Sequence, residues 1–327
     1  MDMARLFNSA KLWVSFYLSK NLQKPVFVAL PSSISIEPTT SCNLRCPECP
    51  SGLRSFTRPT GMLAGDLFQK AIDQISVHAF YLTLYFQGEP YLHPQFLDLV
   101  KYASRKRMYV STSTNAHYLN DENAQKTVQS GLDRLIISID GTTQDTYEQY
   151  RIGGQLSKVL EGTRNIVSWK KQLNSAKPYV IFQYLVVKPN EHQIEEAEKL
   201  ARELGVDEIV FKTAQVYEHE KGSPLIPDNQ KYSRYKQNTD GTFSIKNKLL
   251  NQCWKMWQSC VMTWDGRIVP CCFDKDATHV LGSLKTQTFS DIWFSKEYNQ
   301  FRKSLLVSRS EIAMCKNCTE GTKVFAE

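Results

Sequence analysis

Cys42-Asn-Leu-Arg-Cys46-Pro-Glu-Cys49, entered from Ser33-Ile-Ser-Ile-Glu-Pro38, is the stretch on which the fold turns. The first six residues alternate polar and apolar side chains, the pattern of a strand with one buried face. They run into a loop whose three cysteines stand at CxxxCxxC spacing. Pro47 and the turn-forming residues keep that loop from becoming helical, so three thiolates can wrap around one metal centre. A zinc finger needs a fourth ligand close by. The next cysteine is Cys253, and neither His78 nor His93 stands at ligand spacing. A 4Fe–4S cluster held by only three thiolates, by contrast, keeps one iron open to a small molecule.

Outward from the loop, strands and helices alternate. A helical face carries Leu67, Phe68, Ala71, Ile72 and Ile75, and an apolar strand follows over Ala79–Phe86. A helix opens near Pro94, where proline suits the first turn. Strand Met108–Thr112, helix Glu122–Val128 and strand Leu132–Ile139 come next. Helices over Thr142–Tyr150 and Leu156–Leu173 precede strand Tyr179–Val187. Helix Gln193–Leu204 ends at Gly205, a C-cap, and strand Glu208–Phe211 closes the series. Six strand-then-helix units predict an α/β fold with a parallel sheet. Six is short of the eight of a closed barrel, so an open curved partial barrel and a flat doubly wound sheet both fit the pattern.

Residues 212–250 hold Gly222, Pro224, Pro227 and Gly241 among many polar residues, which predicts a connecting segment that faces substrate. A boundary near residue 250 separates it from a cysteine- and tryptophan-rich end. The expected organisation is 1–32 lead-in, 33–211 core, 212–250 connector and 251–327 C-terminal domain.

Forty basic and 33 acidic residues give a net charge of +7, but they are interspersed, and no basic block predicts nucleic-acid binding. No apolar run is long enough to span a membrane. Leu6–Leu18 is apolar, aromatic and flanked by Lys11 and Lys20, without the layout of a signal peptide. It reads as an amphipathic helix packed on the body, with a surface membrane anchor as the other reading. Nine cysteines, clustered in a 327-residue chain, read as thiolate metal ligands of a reducing, cytoplasmic compartment rather than as disulfides.

The cysteine loop resembles the signature of the radical S-adenosylmethionine (SAM) superfamily, CxxxCxxC after the first strand of a partial (β/α)6 TIM-like barrel. The resemblance implies a 4Fe–4S cluster on Cys42, Cys46 and Cys49 whose open iron is chelated by SAM. Reductive cleavage of SAM would then give a 5′-deoxyadenosyl radical, with the electron delivered by an external donor such as flavodoxin or ferredoxin. Gly88-Glu89-Pro90 matches the family's GEP motif at SAM's amino group. Ser113 and Asn115 fall where ribose contacts are placed, and Ser138 and Arg151 match further SAM-binding positions, Arg151 toward the carboxylate. The residue before the third cysteine is often aromatic in the family. Here it is Glu48, which predicts that another side chain covers that face of SAM.

Six more cysteines follow residue 250: Cys253, Cys260, Cys271, Cys272, Cys315 and Cys318. Asp265-Gly266 predicts a tight hairpin turn that brings Cys271 back toward Cys253, and the CxxC at Cys315 and Cys318 completes four ligands. Such a set also suits structural zinc, as in a non-enzymatic scaffold. The arrangement resembles the SPASM/twitch domain, a small α+β unit that carries auxiliary 4Fe–4S clusters. The longer CxxCx5CxxxC segment of full SPASM domains is absent, so the resemblance implies the twitch type, with one auxiliary cluster on Cys253, Cys271, Cys315 and Cys318. Cys260 is an alternative to Cys253. In sulfatase-maturing relatives an aspartate that serves as base follows the second of these ligands. Cys272 holds that position here and Asp274 lies two residues on, making both candidate catalytic residues. The expected reaction oxidises or remodels a substrate C–H bond. Its substrate is a small sugar-like alcohol, with a ribosomally made peptide as the alternative.

Overall fold

The computed structural model describes residues 3–319; the outermost residues of the first and last expected segments lie outside that range. Six parallel strands, β1 (Ser33–Ile36), β2 (Tyr81–Thr83), β3 (Tyr109–Thr114), β4 (Arg134–Ser138), β5 (Tyr179–Val186) and β6 (Glu208–Thr213), pair in the order in which they occur along the chain. A doubly wound sheet reverses its strand order at a switch point. Here there is no reversal, so the sheet winds one way, as in a partial barrel.

Sequence alternation sets the two faces of each strand. Leu82, Val110, Leu135, Ile137, Val180 and Phe182 are fully buried in the main core. Small polar residues on the other face, among them Ser33, Ser35, Ser113 and Ser138, line interior cavities. A closed barrel fills that interior with branched side chains; this one stays hollow.

The helices form where the apolar spacing puts them. Helix Gly65–Ile75 buries Phe68, Ala71, Ile72 and Ile75 as one stripe, with Asp66 in its first turn to complement the dipole. Each of its large apolar side chains contributes roughly 1.5–3 kcal/mol by burial. Asn120 caps helix Asp121–Gln129 by accepting from the Asn123 amide at 2.9 Å. Gly205 ends helix Ile194–Leu204 in the left-handed region at φ 72°, as its position in the sequence predicts.

The connector contains a small antiparallel hairpin, β7 (Tyr235–Gln237) with β8 (Phe243–Ile245). Beyond it, β9 (Ser259–Met262) and β10 (Arg267–Val269) form the hairpin expected at Asp265-Gly266, and Gly266 takes φ 85°. The two-residue β11 (Gly282–Ser283) extends it. Unexpectedly, β9 pairs in parallel with β1, Ser33 opposite Ser259 and Ile36 opposite Met262. The C-terminal cysteine region thus continues the sheet of the core, giving nine strands in the order β11-β10-β9-β1-β2-β3-β4-β5-β6.

The N-terminal helix, Met3–Leu22, packs on the body: Leu12 and Phe16 join the main core, and Phe16 meets Trp254 and Trp257 edge-on.

Candidate active site

A cavity of about 240 Å³ opens where β2, β3, β4 and β5 end, and Cys42, Cys46 and Cys49 line it. Backbone geometry fixes the loop that carries them. Gly52, one turn past Cys49, lies so close that a Cβ there would stand 2.6 Å from the Cys46 amide nitrogen. Gly88 has φ 74°, and a Cβ there would stand 2.7 Å from the Ser41 carbonyl oxygen. Only glycine lets the two loops touch. The contact is then locked by Glu89 N–H donating to the Ser41 carbonyl at 2.7 Å and Gly88 N–H to the Ser51 hydroxyl at 2.9 Å.

Of the residues expected to bind SAM, the structure brings Gly88, Glu89, Ser113, Asn115, Ser138 and Arg151 to this one cavity. Pro90 is buried behind it, starting a short 3-10 turn that rigidifies the loop. Glu89 Oε1 accepts from the Thr114 hydroxyl at 2.7 Å and the Tyr91 amide at 3.2 Å, and Oε2 from the Asn115 amide at 2.8 Å. A carboxylate has about four acceptor sites, so one remains on Oε2 for a ligand donor. Burial pushes the Glu89 carboxyl up to about 7 against the pull of these donors.

Arg151 has a partner that the sequence reading missed. Its Nε donates to Asp140 Oδ2 at 2.5 Å, and its Nη1 stands 3.7 Å from Cys46 Sγ. Asp140 is fully buried and also accepts from the Leu185 amide at 2.7 Å. A buried carboxylate at the end of β4 thus aims a guanidinium at the cysteine loop. The signal was in the same Ser138-Ile-Asp140-Gly motif, two residues past Ser138. Gln87 was missed as well: its Oε1 lies 3.9 Å from Cys49 Sγ.

Glu48 turns outward and accepts from the Tyr217 amide at 3.0 Å, fastening the connector to the cysteine loop. Phe86 and Tyr150 are aromatic side chains that line the cavity. The same stretch of the connector is also held by Asn317, which lies between the last two cysteines. Asn317 Nδ2 donates to the Val216 carbonyl at 2.7 Å, and its Oδ1 accepts from the Tyr235 hydroxyl at 2.9 Å.

The C-terminal thiols come from three segments, around Cys253, Cys271 and the Cys315–Cys318 pair. Cys253 lies within electrostatic reach of both Cys271 and Cys315, and Arg309 feels Cys253, Cys315 and Cys318 together. Arg309 Nη2 donates to Cys318 Sγ at 3.3 Å and Nη1 to the Gln252 carbonyl at 3.0 Å. Cys260 sits in β9 opposite Ile34, beside Tyr298 and Arg302, and lines one cavity with Cys271 and Cys272. Burial holds the Cys315 thiol up, and Arg309 opposes that shift.

Both thiol sets suit clusters better than single ions. None of the nine cysteines is in a disulfide. Among the described residues no three His, Cys, Asp or Glu side chains gather closely enough for one metal ion. Cys42, Cys46 and Cys49 line one cavity with Arg151 against Cys46, and in the second set Arg309 stands against Cys318; both arrangements suit the negative charge of a thiolate-held cluster.

The two residues singled out as candidate bases part company. Cys272 lines a second cavity of about 340 Å³ with Ser33, Ser35, Thr83 and Lys255, and lies within electrostatic reach of Tyr85, which lines the first. Asp274 lines neither cavity. It is buried in a turn, Oδ1 accepting from the Thr278 amide and hydroxyl at 2.8 and 2.7 Å and Oδ2 from the His279 amide at 2.9 Å. Its acceptor capacity serves the turn.

Comparison with known proteins follows the same division. Residues 36–201 match the model of the radical SAM superfamily, and residues 253–319 match SPASM, an iron–sulfur cluster-binding domain. A tungsten-containing aldehyde ferredoxin oxidoreductase cofactor-modifying protein of Pyrococcus furiosus is 26% identical over 309 residues, covering 82% of each chain. PqqA peptide cyclase of Gluconobacter oxydans is 24% identical over 83% of this chain and 79% of its own. Among solved structures, SuiB of Streptococcus suis bound to S-adenosylmethionine superposes with TM-score 0.66 at 13% identity, over 98% of this chain and 77% of SuiB. BtrN in complex with AdoMet and 2-DOIA gives TM-score 0.56 at 18% identity, over 92% and 98%. At these identities the superpositions speak for the fold.

Proposed function

The chain belongs to the radical SAM superfamily and carries a C-terminal SPASM domain, and from that premise we propose that it oxidises or remodels a C–H bond of a small alcohol bound between two 4Fe–4S clusters. One observation carries the reading: the cavity lined by Cys42, Cys46 and Cys49 is also lined by six of the seven residues expected to hold SAM. A 4Fe–4S cluster held by Cys42, Cys46 and Cys49, with SAM bound beside it, would supply the radical chemistry that removes a hydrogen atom from substrate.

The chain's own residues hold and shield. Cys42, Cys46 and Cys49 hold the first cluster, and Cys253, Cys271, Cys315 and Cys318 the auxiliary one. The free acceptor site of Glu89 suits SAM's ammonium. Arg151, oriented by Asp140, lies beside Cys46 where a SAM carboxylate on the open iron would sit. Ser113 and Asn115 offer polar contacts to the ribose, Ser138 offers a further polar contact to SAM, and Phe86 or Tyr150 covers the face that Glu48 leaves open. Cys272, which lines the second cavity, would take the substrate proton, and an auxiliary cluster held by the C-terminal cysteines would supply an acceptor for the electron or an anchor for the substrate. A flavodoxin or ferredoxin supplies the first electron.

A small substrate is supported by the near-complete mutual coverage with BtrN, whose complex holds 2-DOIA. A peptide substrate is the second reading, favoured by the likeness to PqqA peptide cyclase.

Anaerobic reconstitution with iron and sulfide tests the core of this. About eight irons per chain and 5′-deoxyadenosine on reduction with SAM are expected. Zinc uptake with no SAM cleavage would sink it. Deuterium carried into 5′-deoxyadenosine from a labelled alcohol, but not from a peptide, separates the two substrate readings.

A further inference from the structure

The N-terminal helix Met3–Leu22 is amphipathic in the reverse of the usual sense. A helix packed on a globular body turns its apolar stripe inward. This one buries Arg5, Asn8, Ser15 and Ser19 together with Leu12 and Phe16. The buried polar groups are anchors. Arg5 donates to the carbonyls of Ser76 at 2.6 Å, Lys106 at 2.8 Å and Arg107 at 2.6 Å. Asn8 Nδ2 donates to the Leu30 carbonyl at 2.7 Å, and its Oδ1 accepts from the Leu30 amide at 3.1 Å. The Ser19 hydroxyl accepts from the Val26 amide at 2.7 Å.

The apolar residues point away from the body. Phe7 is 66% exposed, Val14 53% and Leu22 58%, and Leu6, Trp13 and Leu18 are exposed beside them. At 3.6 residues per turn these side chains form one continuous face running the length of the helix. Val28, whose amide donates to the Ser15 hydroxyl, and Val77, which follows the Ser76 carbonyl held by Arg5, are also exposed. A contiguous exposed face of this kind marks a docking surface rather than scattered surface residues.

Charge identifies the occupant. Residues 3–22 contain no Asp or Glu. Lys11 and Lys20 fall at the two opposite edges of the apolar face in helical projection, Lys11 with its ammonium 5.6 Å from the Phe7 ring centre. Lys24 follows just past the end. Trp13 and Tyr17, packed edge-on at 4.7 Å, sit within the face. Lysines that can reach up from both borders, with an indole and a phenol between them, match the headgroup level of an anionic bilayer. No helix of the described residues is long and apolar enough to cross a membrane, so the fit is to its surface. We propose that the outward face of helix Met3–Leu22 docks the protein on an anionic phospholipid surface.

The test is co-sedimentation of the full chain with phosphatidylglycerol-containing and pure phosphatidylcholine vesicles. Binding to the former, falling as salt is raised, is expected. Phe7→Ser/Val14→Ser/Leu18→Ser, three exposed positions, abolishes it with an unchanged circular dichroism spectrum. Lys11→Gln/Lys20→Gln weakens it by about thirtyfold. No binding to either vesicle, or equal binding by the triple variant, overturns the proposal. So does a wild-type dimer that the triple variant converts to monomer, since the face then belongs to a second copy. SAM cleavage by the same variants is expected to be unchanged, so this result stands or falls apart from the proposed reaction.

Discussion

The two cysteine sites are built by opposite means. Cys42, Cys46 and Cys49 come from one short loop held by Gly52 and Gly88, and their thiols look into a cavity. Cys253, Cys271, Cys315 and Cys318 come from far-separated segments, gather around Arg309 and line no shared cavity among those described. Three ligands and a cavity suit a site that must bind a small molecule. Four converging ligands suit one that holds charge and stays closed. A short loop sets its own geometry, whereas a convergent site depends on the whole fold around it.

The comparison breaks first at the ligands. Cys46→Ala is expected to lower iron to about four per chain and abolish SAM cleavage. Cys318→Ala should also leave about four irons but keep SAM cleavage, losing turnover of substrate instead. Equal loss of SAM cleavage in both would show that the sites are not separable.

Next is the clamp that joins them. Glu37, at the end of β1, and Arg58 form a buried pair at 2.5 and 2.8 Å. Arg58 Nε also donates to the Lys275 carbonyl at 2.9 Å, and Glu37 Oε2 accepts from the Trp264 amide at 3.2 Å. Asp276 accepts from the Thr57 amide at 2.9 Å and the Arg58 amide at 3.2 Å. Arg58→Met strands a buried carboxylate and should cost about 3–5 kcal/mol in chemical unfolding. A loss under 1 kcal/mol would mean that the clamp is ornamental.

A smaller effect is expected at Glu89. Its carboxyl sits near 7 in the folded chain against an ordinary 4.5. The folded state therefore binds the extra proton between those values, and this group's stabilisation, full below about 4.5, is lost as pH rises toward 7. The ionised form present above 7 is the one that suits an ammonium. SAM binding should tighten by roughly tenfold as pH rises through 7, and calorimetry on Glu89→Gln should show a flat profile.

The smallest is Asp274→Asn. It should cost about 1–2 kcal/mol through its turn and leave turnover within about twofold, while Cys272→Ser lowers turnover far more. The reverse ranking would return Asp274 to the chemistry.

What the sequence made legible follows the same line. The cysteine loop, the Gly-Glu-Pro turn, the Asp265-Gly266 hairpin and the Gly205 cap are local, and each is found where its spacing puts it. The second strand was expected over Ala79–Phe86, yet only Tyr81–Thr83 is in register, because Tyr85 and Phe86 leave the ladder to line the cavity. Asp274 is a candidate base by its place two residues past Cys272; that its carboxylate accepts from Thr278 and His279 in a turn is a contact that spacing alone does not show. The tie between Glu48 and Tyr217 and the pairing of β9 with β1 join positions that no local pattern relates.

That last pairing has a consequence for how the protein is made. The Ser33 hydroxyl donates to the Gln258 carbonyl across 225 residues of chain. At about 5–20 residues per second on the ribosome, β1 waits roughly 10–45 s for its neighbour. Throughout that interval the strand leading into Cys42 is an open sheet edge, and Glu37 has no Trp264 amide to accept from. The loop of the first cluster site is therefore made well before the sheet edge beside it is paired, and its surroundings are completed only when the last quarter of the chain emerges.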